Sequence, residues 1–287
     1  MRKRILGFLL LLSALAFCSP VEAEISFDAA SEGTGTSALS WTHTPVGAPK
    51  GVFVFCINNT VSTDVFSGAT YGGAAMTQKA SAADTSGEPG FTEGYFLGAS
   101  IPTGAQTVAC TVSTGSTAKW GVAITVTAAS DTQPAGTGAC SVSNNVANPS
   151  CSITGISGAS YGAAGHFSGQ ANESSITAGS GMTKGPGNDF GSMVTASEYS
   201  TAQQGSGNMT IGFTVATDDV AMVAIAVEQT TPDVSVKRSQ TIVVFNRAGA
   251  TGRSITAARR GWTATPISVS PRPSASAPTR TTPGHCP

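Results

Sequence analysis

The chain contains two similar copies of one pair of segments. Residues 107–114 (TVACTVST) match residues 210–217 (TIGFTVAT), and residues 122–126 (VAITV) match residues 223–227 (VAIAV). The first match is shifted by 103 positions and the second by 101, so the connection between the segments is two residues shorter in the second copy. Self-similarity of this kind predicts a structural unit that occurs twice.

Two further landmarks lie upstream of these segments and repeat in the same order. Met76-Thr77 pairs with Met182-Thr183, and Glu93-Gly94-Tyr95 pairs with Glu198-Tyr199. Chance alternation of valine, threonine and alanine can produce one match in a β-protein, but four matches in one order indicate an internal duplication. We therefore predict two related halves, in which Glu93 and Glu198 occupy equivalent positions.

Short runs of β-branched and aromatic residues, bounded by turn residues, predict strands throughout the body of the chain. The predicted strands span residues 38–43, 51–57, 69–71, 92–97, 106–113, 120–128, 151–156, 160–167, 192–199, 208–215 and 220–229. No helical period separates them, which argues against a βαβ fold. The pattern predicts an all-β protein, a single jelly-roll-like β-sandwich built from two pseudo-repeated halves.

Alternation of apolar and polar residues assigns faces to these strands. In the first copy of the repeat, Val108, Cys110 and Val112 fall on one side, which predicts that this side is buried. Cys110 is then a core position, which Phe213 occupies in the second copy. Residues 52–57 are apolar on both sides and predict a central strand.

The N-terminus has the pattern of an export signal. Basic residues 2–4 precede an apolar run over 5–17, and Val21-Glu22-Ala23 places small residues where a signal peptidase cleaves. We predict a signal peptide at 1–23 and a secreted, extracellular or periplasmic protein; the alternative is a lipoprotein anchored through Cys18. The apolar run is shorter than a spanning helix requires, and no later segment is a transmembrane candidate.

Charge divides the remaining chain into two regions. Residues 24–232 contain four lysines, no arginine and 14 carboxylates, a net charge of −10, whereas residues 233–287 contain eight basic residues and one aspartate. The acidic region is the predicted sandwich domain, and its charge argues against nucleic acid as its partner. The basic region is rich in serine, threonine, proline and arginine and predicts a disordered tail. Within it, residues 234–245 could add one strand.

Five cysteines remain after cleavage of the predicted signal peptide. Cys140 and Cys151 flank a polar segment, and in an exported protein this spacing predicts a disulfide that closes the loop. Cys56 and Cys110 either form a second disulfide or are buried free thiols. Cys286 lies in the predicted tail. No cysteine or histidine spacing is typical of a zinc site, so no metal and no cofactor are predicted.

Several signatures together resemble a known family. These are an opening at residues 27–44 (FDAASEGTGTSALSWTHT), a turn at 70–77 (TYGGAAMT) and a closing strand at 222–227 (MVAIAV). With the apolar strand between the first two, they are similar to uncharacterised β-sandwich domains that occur in exported bacterial proteins and in phage structural proteins. The resemblance covers about residues 27–229 and implies a sandwich fold, but no activity and no catalytic residues.

Chemistry by side chains has few candidates in this sequence. A serine–histidine–aspartate set would depend on His43 or His166, and neither lies in a motif. Glu93 and Glu198 could form the carboxylate pair of a glycoside hydrolase, but we expect both to be solvent-facing strand residues preserved by duplication. Loop carboxylates at 84, 88, 189, 218 and 219 could bind calcium, although their spacing matches no calcium loop.

Binding is the better functional prediction. Loops rich in glycine, serine and threonine supply turns and backbone contacts more readily than acids or bases. The aromatic residues that could contact a ligand are Trp41, Tyr95, Trp120 and Tyr199, and Trp120 is the strongest candidate because Ala221 replaces it in the second copy. We predict a non-catalytic structural, adhesion or binding module whose partner is a surface glycan or a protein, with a carbohydrate-binding module as the alternative.

Overall fold

A computed structural model describes residues 24–113, 117–127, 139–169, 172–191 and 193–229. These residues form β-strands joined by turns, with a single 3₁₀ turn at Glu173–Ser175 among them, so the predicted all-β class is confirmed. The predicted signal peptide (1–23) and the predicted tail (233–287) lie outside the described residues, as do Cys18 and Cys286. Within the described ranges, no helix has the length and apolarity needed to cross a membrane.

The first half of the domain contains nine strands. They are β1 (Phe27–Gly35), β2 (Leu39–His43), β3 (Gly51–Asn58), β4 (Phe66–Tyr71), β5 (Ala74–Ala75), β6 (Thr77–Asp84), β7 (Gly90–Leu97), β8 (Gln106–Val112) and β9 (Lys119–Val126). Five of them form the first central sheet, in the order β1-β9-β3-β7-β6. The other four form the first outer sheet, in the order β2-β8-β4-β5.

The second half contains eight strands. They are β10 (Ala139–Ser143), β11 (Ser150–Ile156), β12 (Ser160–Ser168), β13 (Thr177–Ala178), β14 (Met182–Asp189), β15 (Val194–Ser200), β16 (Gly207–Thr214) and β17 (Val220–Glu228). The second central sheet has the order β10-β17-β12-β15-β14, and the second outer sheet has the order β11-β16-β13. If each strand is matched to its counterpart along the chain, both sheet orders are the same as in the first half, apart from the two-residue β5.

Three apolar cores show how the four sheets stack. The core between the two central sheets contains Phe53, Phe55 and Trp120 from the first half with Phe167 and Val223 from the second. A second core lies between the first central and first outer sheets, and a third lies between the second central and second outer sheets. The sandwich packing is therefore confirmed and resolves into four layers, because each half supplies an outer and a central sheet.

Strand register confirms the duplication residue by residue. Ile124 stands opposite Phe53 and Ile225 stands opposite Ala163, at the same place in the two central sheets. Both isoleucines belong to the core between those sheets. In the outer sheets, Val108 and Ile211 are both buried at the predicted equivalent positions. The repeated segments therefore mark equivalent strands, β8 with β16 and β9 with β17.

The same register corrects the predicted equivalence of the two glutamates. Phe96 lies opposite Phe53, and Tyr199 lies opposite Ala163, so Tyr199 corresponds to Phe96. Glu198 therefore corresponds to Tyr95, and Glu93 corresponds to Ala196. The matched glutamates are therefore two positions out of register and the matched tyrosines one position, a difference that arises because Gly94 separates Glu93 from Tyr95 and no residue separates the second pair.

Each half has one disulfide between its central and outer sheets. Cys140 is bonded to Cys151 as predicted, and Cys56 is bonded to Cys110, which settles the open alternative in favour of a bridge. The enclosed sequence separations are 54 residues for the first half and 11 for the second. In the chain-entropy account, such loops stabilise a fold by about 4 and about 3 kcal/mol respectively.

The two disulfides are at different positions of the repeat. Cys56 and Cys110 correspond by register to His166 and Phe213, whose rings lie 4.7 Å apart between centroids. Cys140 and Cys151 correspond to Ser31 and Trp41, and there Trp41 Nε1 donates a hydrogen bond of 3.1 Å to Ser31 Oγ. At each of these two positions of the repeat, one half has a disulfide and the other half has a noncovalent contact.

Glycines allow the two central sheets to approach closely. A Cβ at Gly94 of β7 would lie 2.6 Å from Val223 Cγ1, and a Cβ at Gly165 of β12 would lie 2.5 Å from Phe55 Cβ. Cβ contacts this short do not occur in folded proteins. The missing side chains create space that Val223 and Phe55 fill from the opposite sheet, so side chains from the two halves interdigitate.

Adding one methyl group tests this close approach. Gly165→Ala should lower the free energy of unfolding by about 1 to 3 kcal/mol, because Phe55 has to shift within a packed core. Gly158→Ala is the matched control, since a Cβ there meets nothing within 4 Å. Urea denaturation of both variants gives the comparison. A Gly165→Ala protein as stable as the control would contradict the close packing of the central sheets.

Candidate functional site

A cleft opens between the first central and first outer sheets. It has a volume of about 300 Å³. Its lining residues come from the loop before β4, from β4 itself, from the start of β6 and from β7: Asp64, Phe66, Ser67, Gly68, Met76, Gln78, Glu93 and Tyr95. Ligand sites are typically clefts of roughly 300 to 1,000 Å³ in which a few polar groups fix a ligand, so this cleft is the candidate site.

Glu93 lies in the interior of the cleft. It is only 2% exposed, and alternation along β7 places it on the same face as Phe91 and Tyr95, which belong to the core beneath the outer sheet. Tyr95 donates a hydrogen bond of 2.5 Å from its hydroxyl to Glu93 Oε2. Gln78 donates from Nε2 to Glu93 Oε1. The expectation that Glu93 faces solvent is wrong, and its carboxyl group is held in place from both sides.

Burial changes the protonation of this carboxyl group. Desolvation raises the pKa of Glu93 to about 7, the hydrogen bond from Tyr95 opposes that rise, and the negative charge of Asp64 adds to it. Burial also raises the pKa of the Tyr95 hydroxyl, and Glu93 contributes to the increase. The Tyr95 hydroxyl therefore remains protonated and donates at neutral pH, whereas the Glu93 carboxyl group gains or loses its proton near neutral pH.

Most of the cleft was not predicted from the sequence. Of the four aromatic ligand candidates, Tyr95 alone lines it, and Asp64, Ser67 and Gln78 were missed. One signal was available for Glu93, because a glutamate that alternates with Phe91 and Tyr95 shares their buried face. Asp64 and Gln78 had no such signal, since they come from a loop and from an edge strand that only the fold brings to β7.

The two tryptophans are not available to a ligand. Trp120 is fully buried in the core between the central sheets, and Trp41 is 9% exposed in the core beneath the outer sheet. Their predicted role in ligand contact is therefore wrong. Trp120 Nε1 donates a 2.7 Å hydrogen bond to Glu32 Oε2, which satisfies its only donor. Tyr199 is half-buried and stacks on Phe27, with ring centroids 4.2 Å apart.

Glu198 is also buried, in the other half of the domain. It faces the second outer sheet and accepts hydrogen bonds from the backbone N–H groups of Gly179 and Gly212, while its Oε1 has no partner. Burial raises its pKa to about 8. Glu93 faces the opposite way, toward the first outer sheet. Because packed sheets lie about 10 Å apart and the two side chains point away from each other, they cannot act as a glycosidase pair, which needs about 5 to 10 Å.

Neither histidine of the domain forms an accessible catalytic set. His43 is fully buried and lies 2.7 Å from Ser31 Oγ and 3.1 Å from Thr125 Oγ1, and Thr125 in turn donates to Asp28. This series of hydrogen-bonded side chains has the order of a nucleophile, a base and an acid. Ser31 Oγ, however, also accepts a hydrogen bond from Trp41 inside the sandwich. Burial lowers the pKa of His43 to about 4 and that of His166 to about 3, so both are neutral at physiological pH.

Four of the loop carboxylates that could bind calcium, at positions 84, 88, 218 and 219, meet where the two halves adjoin. Ser86 Oγ lies within hydrogen-bond distance of both Asp84 and Asp219, and Glu88 N donates to Asp219 Oδ2 at 2.6 Å. Burial and the charges of Asp218 and Asp219 raise the pKa of Glu88. The carboxylate of Asp219 therefore accepts hydrogen bonds that join the halves. In the described part of the chain, no three His, Cys, Asp or Glu residues are arranged to hold a metal ion.

Comparison of the chain with protein-family models, with curated proteins and with solved structures gives no match.

The buried carboxyl groups predict a loss of stability at alkaline pH. Glu93 and Glu198 have folded-state pKa values of about 7 and about 8, so above pH 7 the folded protein binds more protons than the unfolded chain. Their contribution is fully present below the unfolded pKa and is lost as pH rises through the folded values. The histidines do not interfere, because above about pH 7 both are neutral in either state.

The measurement is urea denaturation at several pH values between 7 and 9. The free energy of unfolding should fall across this window, and Glu198→Gln should flatten the fall, since the amide mimics the protonated acid. Glu24→Gln, at an exposed position, is the control. An equal slope in wild type and Glu198→Gln would show that Glu198 is already ionised in the folded state.

Proposed function

We propose that this protein is an exported binding module that contacts its partner through the Glu93 cleft. The observation that carries the proposal is a buried carboxyl group, fixed by Gln78 and Tyr95, in a cleft that opens to solvent. Preorganised polar groups in a concave site reduce the entropy cost of binding. The predicted signal peptide and the two disulfides support export, because disulfides persist in oxidising compartments.

A binding role suits this site better than a catalytic one. Both oxygens of Glu93 already accept hydrogen bonds from side chains of the protein. Acid–base catalysis by a carboxyl pair needs a second carboxyl group aimed at the same reacting atoms. Glu198 lies in the second half and faces the outer sheet of that half, and Asp64 accepts from the backbone N–H of Phe66 at 2.8 Å. Resemblance to sandwich domains of exported and phage structural proteins agrees with a structural or adhesive role.

A carbohydrate ligand is the second candidate, because one aromatic surface remains accessible. Phe27 is 38% exposed and stacks on Tyr199 with an interplanar angle of 12°. Flat aromatic faces of this kind can pack against sugar rings. This pair involves β1 and β15 and none of the residues that line the cleft, so the two candidates can be tested separately.

Blocking the mouth of the cleft tests the proposed function. Ser67 is exposed and lines the cleft, so Ser67→Trp should fill it without removing a buried group. The full chain is screened on glycan and protein arrays, and Ser67→Trp should weaken binding by about tenfold or more, the loss expected for one excluded contact. Ser37→Trp is the control at an exposed loop position.

Two results would overturn the proposal. Equal binding by Ser67→Trp and wild type would show that the cleft is not the contact. Hydrolysis of polysaccharide or ester substrates that is lost in Glu93→Gln would make the protein an enzyme. Loss of array binding in Phe27→Ala, with Ser67→Trp unaffected, would favour the aromatic surface and a carbohydrate ligand.

A further inference from the structure

The cleft is rich in acceptors and contains no cation. Its lining includes the carboxyl groups of Glu93 and Asp64, the amide oxygen of Gln78 and the hydroxyl of Ser67, whereas none of the lysines and histidines that the structure describes lines it. Phe66, Met76 and the ring of Tyr95 supply apolar walls. A buried carboxylate is most stable beside a positive charge, so the chemistry of the lining favours a ligand with a cationic tip.

The second half shows how the same position is filled there. Gln78 stands opposite Tyr95, and Lys184 stands opposite Glu198. Because Glu198 corresponds to Tyr95 in the repeat, Lys184 corresponds to Gln78. The duplication has therefore placed a lysine in one half and a glutamine in the other at the same point of the fold.

The ammonium group of Lys184 is fully engaged within its own half. Lys184 Nζ lies 2.8 Å from Glu173 Oε1, and it donates to the backbone carbonyls of Glu173 at 2.9 Å and of Ile176 at 2.6 Å. These acceptors belong to the segment that precedes β13. The second half thus supplies these acceptors with a cation of its own, whereas the position of Glu93 is Ala196 there.

The acceptors of that segment have counterparts at the cleft. Ala178 pairs with Phe213, and Ala69 pairs with Cys110, so the two alanines are equivalent. Glu173 lies five residues before Ala178, and Asp64 lies five residues before Ala69. An acidic residue therefore precedes the strand in both halves. In the first half Gln78 donates only to Glu93 Oε1, and Asp64 has no cation to pair with among the lining residues.

We infer that the Glu93 cleft receives the ammonium group of a lysine side chain from a partner polypeptide, beside Gln78, which stands at the repeat position of Lys184. The inference rests on the proposed function and names the ligand. The lysine stem would pack against Phe66 and Met76, as aliphatic stems of charged side chains do on apolar surfaces. The ammonium group would meet Glu93, Asp64 and the ring face of Tyr95.

The charge of the whole domain supports a cationic partner. Residues 24–232 have a net charge of −10, which attracts basic surfaces and accelerates their encounter. An amino sugar has the same ammonium group, attached to a sugar ring. The lysine stem suits the cleft better, because the walls that lead to the carboxyl group are apolar. A sugar ring would place hydroxyl groups against these apolar walls.

The first experiment compares ligands that differ in one group. The full chain is titrated with an acetylated peptide that has one lysine between glycines, with the same peptide acetylated at Nζ, and with a glucosamine oligomer. Amide NMR shifts in β4, β6 and β7 report binding. The lysyl peptide should bind at least about tenfold more tightly than its acetylated twin, the difference expected for one charge-assisted contact. Equal binding of the twins, or tighter binding of the glucosamine oligomer, would overturn the inference.

The second experiment introduces a cation into the cleft by substitution. Gln78→Lys restores the residue type of the second half at an exposed position, and it should abolish binding of the lysyl peptide and lower the pKa of Glu93 measured by carboxyl NMR. Ser37→Lys, at an exposed loop position outside the cleft, adds the same charge and should leave the peptide bound. Glu93→Gln should weaken binding about tenfold.

Failure of the inference is distinguishable from failure of the proposed function. If Gln78→Lys binds the lysyl peptide as wild type does, the ligand is not an ammonium group in this cleft. If Ser67→Trp nevertheless removes array binding, the cleft remains the contact and only the ligand class is wrong.

Discussion

The contact between the two central sheets is the constraint on which the rest of the structure depends. Both sheets are covered on both faces, so their inner strands β3, β9, β12 and β17 are buried along almost their whole length. Gly94 and Gly165 allow side chains of one half to enter the other. The apolar surface buried in this contact stabilises the fold by roughly 25 cal/mol per Å². Each outer sheet packs on the other face of the central sheet of its own half.

Duplication explains how the outer layers are attached. Each half has two positions where a central strand meets an outer strand, and each position is a disulfide in one half and a noncovalent contact in the other. The noncovalent contacts are costlier to maintain. His166 pairs with Phe213 in the core, and neither of its ring nitrogens has a hydrogen-bond partner there. Equivalent positions have also diverged at the Glu93 cleft, where the first half has Gln78 and the second half has Lys184.

The sequence predicts the inner strands of this fold and misses the edges. Every predicted strand overlaps an observed one, because strands buried on both faces need long apolar, β-branched runs. The four longer strands that were missed, β1, β6, β10 and β14, are the edges of the two central sheets. An edge strand pairs on one side only and tolerates polar residues and glycine, so residues 182–189 (MTKGPGND) carry no strand signal.

The candidate site was predictable only in part, for a related reason. Tyr95 was named, and alternation could have shown that Glu93 is buried. Gln78 lies on an edge strand and Asp64 in a loop, and their approach to β7 depends on register, which a bulge between Gln78 and Ala80 shifts. The error in matching Glu93 to Glu198 has the same origin, since similarity of residue types does not fix a register that differs by two positions.

The central claim is that the halves are repeats whose corresponding contacts are interchangeable, and the inference about the cleft depends on it. The direct test replaces His166 and Phe213 together by cysteine, at the positions of Cys56 and Cys110. Mass spectrometry of a non-reduced digest should show a third disulfide joining residues 166 and 213, with the two native bridges intact. Two free thiols at those positions in an otherwise folded protein would contradict the equivalence of the halves.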